Sequence, residues 1–401
     1  MFTQSQISQS IDLQQEGFWT NNNELKREQL SSIPVIDSYA TIITGLRRCG
    51  KSTLLKQLLK EDTNDTLYLN FEDIRLAGFT VQDFVRLHDE IKRRKTKVLY
   101  FDEIQLVEKW EIFIHQVLRE GYRVFITGSN AAMLSRELGS HLTGRHLSVE
   151  LFPFSYNEFL QFKGISRDAV TLTAYMNTGG IPEYVKSGSG MILTKLLDDI
   201  LMRDIVARYG VRDVTSLRQL AVYLMSNVGS LVSATRLSGL YGIKSPATFL
   251  EYFSYLKDAY LIEMLPQFSY SMKAQARNPK KIYAIDTGMA REVSAAFSEN
   301  TGHLLENLVY IYLRRSYSEI YYFKEKQECD FVVSEKGRIT QLVQVCSELD
   351  DLNWEREYEG LVAAMQYFKL KQATIVTLTQ SDTISDKGRT IRLVPADEWM
   401  Q

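Results

Sequence analysis

Two glycines, a lysine and a serine at fixed spacing are the most chemically specific pattern in the chain. Gly45-Leu46-Arg47-Arg48-Cys49-Gly50-Lys51-Ser52 satisfies G-x-x-x-x-G-K-[ST]. Gly45 and Gly50 permit the backbone angles and close approach that let successive N–H groups surround a phosphate. Lys51 then supplies a point charge for the β- and γ-phosphates of a nucleotide, and Ser52, followed by Thr53, supplies an oxygen for Mg²⁺. Arg47 and Arg48 add positive charge to the loop or pair with acids elsewhere.

A second run, Lys97-Val98-Leu99-Tyr100-Phe101-Asp102-Glu103, is apolar and ends in two carboxylates. At the carboxyl end of a buried strand facing a phosphate site, Asp102 can hold the water shell of Mg²⁺ and Glu103 can take the proton of an attacking water. Alone, such a pair also serves merely to end a strand and solvate a turn. The run YRVFIT leads into Gly128-Ser129-Asn130. If its strand lies between those of the loop and the acidic pair, Ser129 or Asn130 meets the γ-phosphate or the water; otherwise the segment is a turn or helix cap. Arg145, in LTGRH, reads either as a finger toward the transferring phosphoryl, in cis or from a neighbouring subunit, or as a surface arginine.

These side chains need a sheet to position them. TIIT (41–44), LYLNF (67–71), VLYF (98–101), VFIT (124–127) and HLSVEL (146–151) alternate with helix-like stretches, the signature of a mostly parallel sheet flanked by helices. TIIT precedes the glycine loop, and Leu54, Leu55, Leu58 and Leu59 mark one helix face after it. The phosphate loop thus has its strand and its helix.

Beyond this α/β core of residues 1–152, helical patterns dominate 153–211, broken by Gly179-Gly180-Ile181-Pro182. Over 212–298, three helix-like segments precede two strand-like ones, LIEML and KIYAID, the order of a winged helix. Ser245-Pro246 is a good helix start. Between Arg203 and Lys281 there are eleven Lys or Arg against five Asp or Glu, and the wing PQFSYSMKAQARNPKK contains no acid. Such a surface suits phosphate contact with DNA; winged helices also serve as protein-packing units. Residues 299–401 run from a helix through a hairpin, ECDFVV and ITQLVQVC, to a helix and the strand TIVTL: a second α/β domain.

The 401 residues favour several domains, and 45% hydrophobic with 24% charged content suits an ordinary folded protein. A net charge of −2 argues against a wholly basic nucleic-acid coat protein. Cys49, Cys329 and Cys346 form no CxxC pair, so neither a zinc module nor a disulfide framework is expected. No stretch approaches a membrane span or a signal peptide, so a cytoplasmic location is expected.

GLRRCGKSTLL, LYLNFEDIRL, YFDEIQLVEKW, FITGSN, LTGRHLSVELFPFSYNEF and GGIPEY together resemble prokaryotic AAA-type ATPases fused to an uncharacterised C-terminal domain. The resemblance implies ATP and Mg²⁺ as ligands and a sensor strand inserted between the loop and acidic strands. It also implies that Gly180 to Pro182 form a lid motif near adenine, where an ordinary turn is the alternative. Glu72 and Asp73 match an acidic pair of that family, either orienting water or holding Arg47 and Arg48.

The last domain resembles the restriction-endonuclease-like fold. Glu306, Asp330 and Gln344-Val345-Cys346 stand at its motif positions, but Cys346 occupies the place of the motif lysine. A neutral thiol cannot help position a nucleophile, so a degenerate binding or packing domain is expected unless Lys324 or Lys326 migrates into the site. The expected whole is a P-loop ATPase core, helical lid, winged helix and restriction-endonuclease-like domain. The expected activity is an Mg²⁺-dependent ATPase coupled to DNA; the alternatives are a nucleotide-dependent switch of slow turnover that binds protein partners through its C-terminal half and, less favoured, an ATP-coupled nuclease, with a homo-oligomer or a protein partner as the further expected associations.

Overall fold

Five apolar runs pair as a wholly parallel sheet in the order β2-β3-β4-β1-β5. The strands are β1 (Ala40–Gly45), β2 (Thr66–Asn70), β3 (Val98–Asp102), β4 (Arg123–Thr127) and β5 (His146–Leu151). The sheet belongs to a computed structural model that describes residues 1–17, 24–62, 65–128, 145–294 and 301–401. The chain divides into Met1–Phe152 and Pro153–Gln401. β4 does lie between β1 and β3, with Ile43 opposite Thr127 and Ile126 opposite Phe101. The ends of the three strands therefore lie side by side.

β1 and β3 are buried throughout, as parallel strands covered on both faces must be. Helices α1 (Gln4–Glu16), α2 (Lys51–Glu61), α3 (Asp83–Arg93) and α4 (Trp110–Arg119) supply the cover. α2 buries Leu54, Leu55 and Leu59, while Phe84 of α3 stacks on Phe113 of α4 with centroids 4.5 Å apart. α1 starts at a capping box between Thr3 and Gln6 and lies along the outer strand β2. There Gln14 accepts from Asn70 N–H (2.7 Å) and donates to Asn70 O (3.2 Å), so a side-chain amide satisfies backbone groups that an edge strand leaves open.

Glu90 fastens α1 to α3. It receives Gln4 Nε2 (3.0 Å), Arg93 Nε (2.9 Å) and Arg94 Nε (2.6 Å). Burial opposes its ionisation, but these donors and Ser8 outweigh burial and hold the carboxyl down at about 2. A depressed carboxyl contributes stability above its ordinary value, which is lost as pH falls toward the folded one. Glu90→Gln is therefore expected to lower the melting temperature at pH 7 and to flatten the loss of stability between about pH 4.5 and 2. Thermal melts across that window check this, and parallel curves for the two proteins would contradict it.

The second unit opens with helices α5 (Tyr156–Lys163), α6 (Ala169–Thr178), α7 (Pro182–Ser187) and α8 (Met191–Asp199). A π-helical run, Ile200–Val206, continues α8. Then come α9 (Val214–Ser226), β6 (Leu231–Val232), α10 (Ala234–Leu237), α11 (Pro246–Asp258), β7 (Ile262–Leu265), α12 (Met272–Arg277) and β8 (Lys280–Ala284). The three strands form an antiparallel sheet in the order β6-β8-β7. Sequence patterning missed β6, which is only two residues long.

α13 (Thr287–Val293) and α14 (Thr301–Ser316) lead into a six-stranded mixed sheet, β13-β14-β12-β11-β10-β9. Its strands are β9 (Glu319–Lys324), β10 (Glu328–Glu335), β11 (Arg338–Val345), β12 (Gln372–Thr377), β13 (Asp382–Asp386) and β14 (Arg389–Pro395), with α15 (Trp354–Phe368) between β11 and β12. β13 buries no residue, which is why no apolar pattern announced it. Among the described residues no helix is long and apolar enough to cross a membrane.

Candidate functional site

β1 runs straight into the Gly45–Gly50 loop, and the loop into α2. Gly45 has φ 142°, and a Cβ there would lie 2.1 Å from Leu151 O, so the loop leaves the sheet where only glycine fits. Gly50 has φ 102° and caps α2, whose first residue is Lys51. That helix start offers free N–H groups and a positive dipole end beside Lys51. Lys51 is only 6% exposed, and its Nζ donates to Gly45 O (3.1 Å) and Leu46 O (3.0 Å). Leu46 and Cys49 are buried beneath the loop, Arg47 is half-buried and Arg48 exposed, with φ 63°. Ser52 and Thr53 are half-buried in the first turn of α2.

Asp102 ends β3 and is 1% exposed. The Tyr68 hydroxyl, from β2, donates to its Oδ2 (3.0 Å), and the Thr127 hydroxyl, from the end of β4, donates to its Oδ1. Thr127 Oγ1 also accepts the N–H of Glu103 (3.2 Å). Glu103 itself has φ 53°, a left-handed conformation that is uncommon for a side chain of this kind and turns the chain sharply off β3. Burial raises the Glu103 carboxyl above its ordinary range; Lys51 and Arg47 act against that, and Asp102 adds to it. Lys51, Asp102 and Glu103 thus share one electrostatic neighbourhood.

Thr127 was not singled out by the sequence patterns, although it is the last residue of VFIT. Its place is visible only once β4 is known to run beside β3. Ser129 and Asn130 lie outside the described residues. The donor set is of a kind that fits a Mg²⁺-nucleotide: the Ser52 hydroxyl and the Asp102 carboxylate are hard oxygens, and the loop carries backbone N–H groups at the start of α2.

Arg145 is not brought to this point. It is exposed, immediately precedes β5, and its carbonyl accepts Ala40 N–H at the start of β1. In a parallel sheet that is the end opposite Gly45, about 16 Å away at ~3.3 Å per residue. Asp73 is held by Arg75 (2.6 Å) and by Gln14 (3.2 Å), and Glu72 is exposed. Pro182 is the first residue of α7 in the second unit. Beside it, Gly180 N–H donates to Asp286 Oδ2 (2.7 Å), and a Cβ on Gly180 would strike Phe154 O at 2.2 Å, so the glycine serves close packing there.

The AAA-domain family profile matches residues 37–160, and a domain of unknown function (DUF8612) matches 170–300. Over 399 residues the chain is 34% identical to an uncharacterized protein of Methanocaldococcus jannaschii, MJ1544, covering 92% of this chain and 89% of that protein. It is 32% identical over 342 residues to an uncharacterized protein of Haemophilus influenzae, covering 80% and 85%. The chain belongs to their family of AAA-domain proteins. A chain of the structure of Drosophila ORC bound to AT-rich DNA and Cdc6 is also similar, at 12% identity over 72% of this chain and 94% of that one, but its TM-score of 0.22 is too low to carry an argument.

In this AAA-domain protein a second charged centre lies in the C-terminal half. Glu306 of α14, Glu328 and Asp330 of β10, Gln344 of β11 and Glu357 of α15 line a cavity of about 660 Å³. Lys281, Lys324 and Lys326 also line it, and among them it is Lys281 that pairs with Glu306 and Asp330. Lys281, from β8, is 3% exposed and places its Nζ 2.9 Å from Glu306, 2.7 Å from Glu328 and 2.8 Å from Asp330. Lys324 reaches only the outer oxygen of Glu328 (3.0 Å). Cys346 is buried, its thiol pushed up to about 12 by burial and by Glu357 and Asp330. Among the described residues no three acids, histidines or cysteines are arranged around a common metal position; here an ammonium holds the centre.

The basic surface read from sequence is correspondingly smaller. Lys281 is buried, Arg218 pairs with Asp198, and Lys257 with Glu263 (3.1 Å). The segment that follows β7 is tied to β9, with Gln267 bridged to Tyr322 and Phe268 N–H donating to Tyr322 O (2.7 Å). Arg236, Lys244, Lys273 and Arg277 are exposed. The exposed face of α11 carries Ala247, Leu250, Glu251, Ser254 and Lys257, and Tyr255 stacks on Tyr209 at 4.0 Å.

Proposed function

We propose that this chain hydrolyses ATP at the Gly45–Thr53 loop and uses its nucleotide state to control the C-terminal half. The observation that carries this reading is the convergence of Lys51, Asp102, Glu103 and Thr127 at the neighbouring ends of β1, β3 and β4.

The loop amides and Lys51 hold the β- and γ-phosphates. Ser52 and Asp102 would hold Mg²⁺, which when bound neutralises charge on the phosphates. Glu103 accepts a proton from water as the water oxygen attacks the γ-phosphorus. The bond from that phosphorus to the bridging oxygen breaks, leaving ADP and phosphate. Thr127 keeps the Asp102 carboxylate and the Glu103 backbone in register. Arg145, distant from its own loop, fits this scheme only as a finger offered to a second copy of the chain.

Lys51→Ala is expected to weaken ATP binding by about 10- to 100-fold, the worth of a hydrogen bond to a charged group, and to abolish turnover. Equilibrium binding of ATP and a phosphate-release assay check both, and full affinity in the variant would defeat the assignment.

Coupling to DNA through the C-terminal half is the finer part of the proposal. Exposed Arg236, Lys244, Lys273 and Arg277 favour it. Turnover measured with a panel of duplex and single-stranded nucleic acids, beside salt-dependent filter binding, tests it. Turnover indifferent to every nucleic acid, with no salt-sensitive binding, would point instead to a switch acting on a protein partner.

A further inference from the structure

Arg27 lies outside every motif of the chain, on the segment that precedes β1, yet it is 3% exposed. Its backbone N–H donates to Gln57 Oε1 on α2 (3.0 Å), and Gln57 Nε2 donates back to Leu25 O (2.7 Å), so this segment is clipped to the helix that follows the phosphate loop. Its guanidinium is forked. NH1 donates to Cys49 O (2.7 Å) and NH2 to Phe152 O (2.8 Å).

The first of these bonds has a directional consequence. Across a planar trans peptide the carbonyl of Cys49 and the N–H of Gly50 point in opposite directions. Fixing the Cys49 oxygen on Arg27 therefore aims the Gly50 N–H away from the guanidinium, at the residue with φ 102° that caps α2. Room for this is tight, since a Cβ on Gly50 would sit 3.0 Å from Arg27 NH1. The guanidinium also keeps a permanent positive charge under the loop, and Cys49 feels it. The second bond ends on Phe152, the last residue of the first unit.

We propose that Arg27 is a positioning residue for the nucleotide site. It presets the direction of the Gly50 amide for phosphate and ties the loop to the carbonyl at which the chain leaves the ATPase sheet. Movement of the loop on nucleotide binding is then felt at Phe152. This inference rests on the nucleotide-site reading above.

The test uses the full chain and equilibrium binding of a fluorescent ATP analogue, so it does not depend on turnover. Arg27→Gln, which keeps neither the charge nor the fork, is expected to weaken binding by about 10-fold, ~1.4 kcal/mol. Arg27→Lys, which keeps the charge but serves one carbonyl at a time, is expected to fall between it and the native protein. Hydrogen exchange of the peptide spanning 149–156 should slow when the analogue binds the native protein, and this response should be lost in Arg27→Lys. Glu90→Gln, which weakens the same unit elsewhere, should leave affinity and exchange response unchanged. Native-like affinity and exchange response in a folded Arg27→Lys protein would overturn the inference while Lys51→Ala still loses binding. If Arg27→Gln fails to fold, Arg27→Lys decides. A native protein that binds no nucleotide would overturn the nucleotide-site reading instead.

Discussion

Replacing Glu103 by Gln is expected to lower ATP turnover by about 10²- to 10³-fold while leaving ATP affinity within roughly 3-fold, because a positioned general base contributes on that scale. Its amide keeps the shape of the side chain but cannot accept a proton from water. The site makes Glu103 the better base of the acidic pair. Asp102 already accepts hydroxyl donors at both oxygens, from Tyr68 and Thr127. Glu103 has its backbone fixed by Thr127 and its carboxyl raised by burial. A general base must be ionised to work, so turnover should show an acid limb that rises as Glu103 ionises. That limb should vanish in Glu103→Gln. A pH–rate profile of both proteins, with ATP binding measured alongside, decides the matter. Turnover within about 3-fold of the native protein across the profile would remove Glu103 from the role of base.

The second large effect is expected at Lys281. Lys281→Met should destabilise the C-terminal half by about 3–5 kcal/mol, the cost of removing one partner from a buried charge network. Glu306 and Asp330 are almost wholly buried, and both place an oxygen on this ammonium. Burial disfavours the charge on Lys281, but Asp330, Tyr283, Glu306 and Glu328 outweigh burial and raise its affinity for the proton. A raised lysine contributes stability that is fully present below its unfolded value, near 10.5, and is lost only as pH rises through the folded one. The native protein therefore keeps this contribution throughout the neutral range.

Without Lys281 the carboxylates must either share the cavity as charges or take up protons. Burial already pushes Asp330 up to about 6 despite Lys281. With the ammonium gone its folded value rises further above the unfolded one, so the variant's deficit should be greater near pH 8 than near pH 4.5. Urea unfolding at the two values checks this. Equal stability of Lys281→Met and the native protein at pH 8 would show that the network contributes nothing.

Much of the nucleotide site was legible in the sequence because its parts are contiguous. A strand, a glycine loop and the first turn of a helix follow one another within Ala40–Glu61, so spacing along the chain fixes spacing in space. Asp102 and Glu103 were legible for the same reason, as the polar end of a five-residue buried strand. The short strands β6 and β13 were not, since neither is long or apolar enough to carry a pattern.

The sequence by itself determined that residues 45–52 carry the pattern of a phosphate-binding loop between a strand and a helix, with an acidic strand further on, because local backbone chemistry decides both. The tertiary structure alone decided which distant side chains complete the two centres. Thr127 reaches Asp102 because β4 pairs with β3. Arg145 is set far from the loop because β5 runs parallel to β1 and starts at its far end. Arg27 reaches Phe152 across 125 positions of chain, and Lys281 reaches Asp330 across 49. Lys281 shows the limit most directly. In sequence it is the last residue of the basic run PQFSYSMKAQARNPKK and reads as surface charge. Alternation along β8 turns it inward, where a lysine is stable only because three carboxylates meet it.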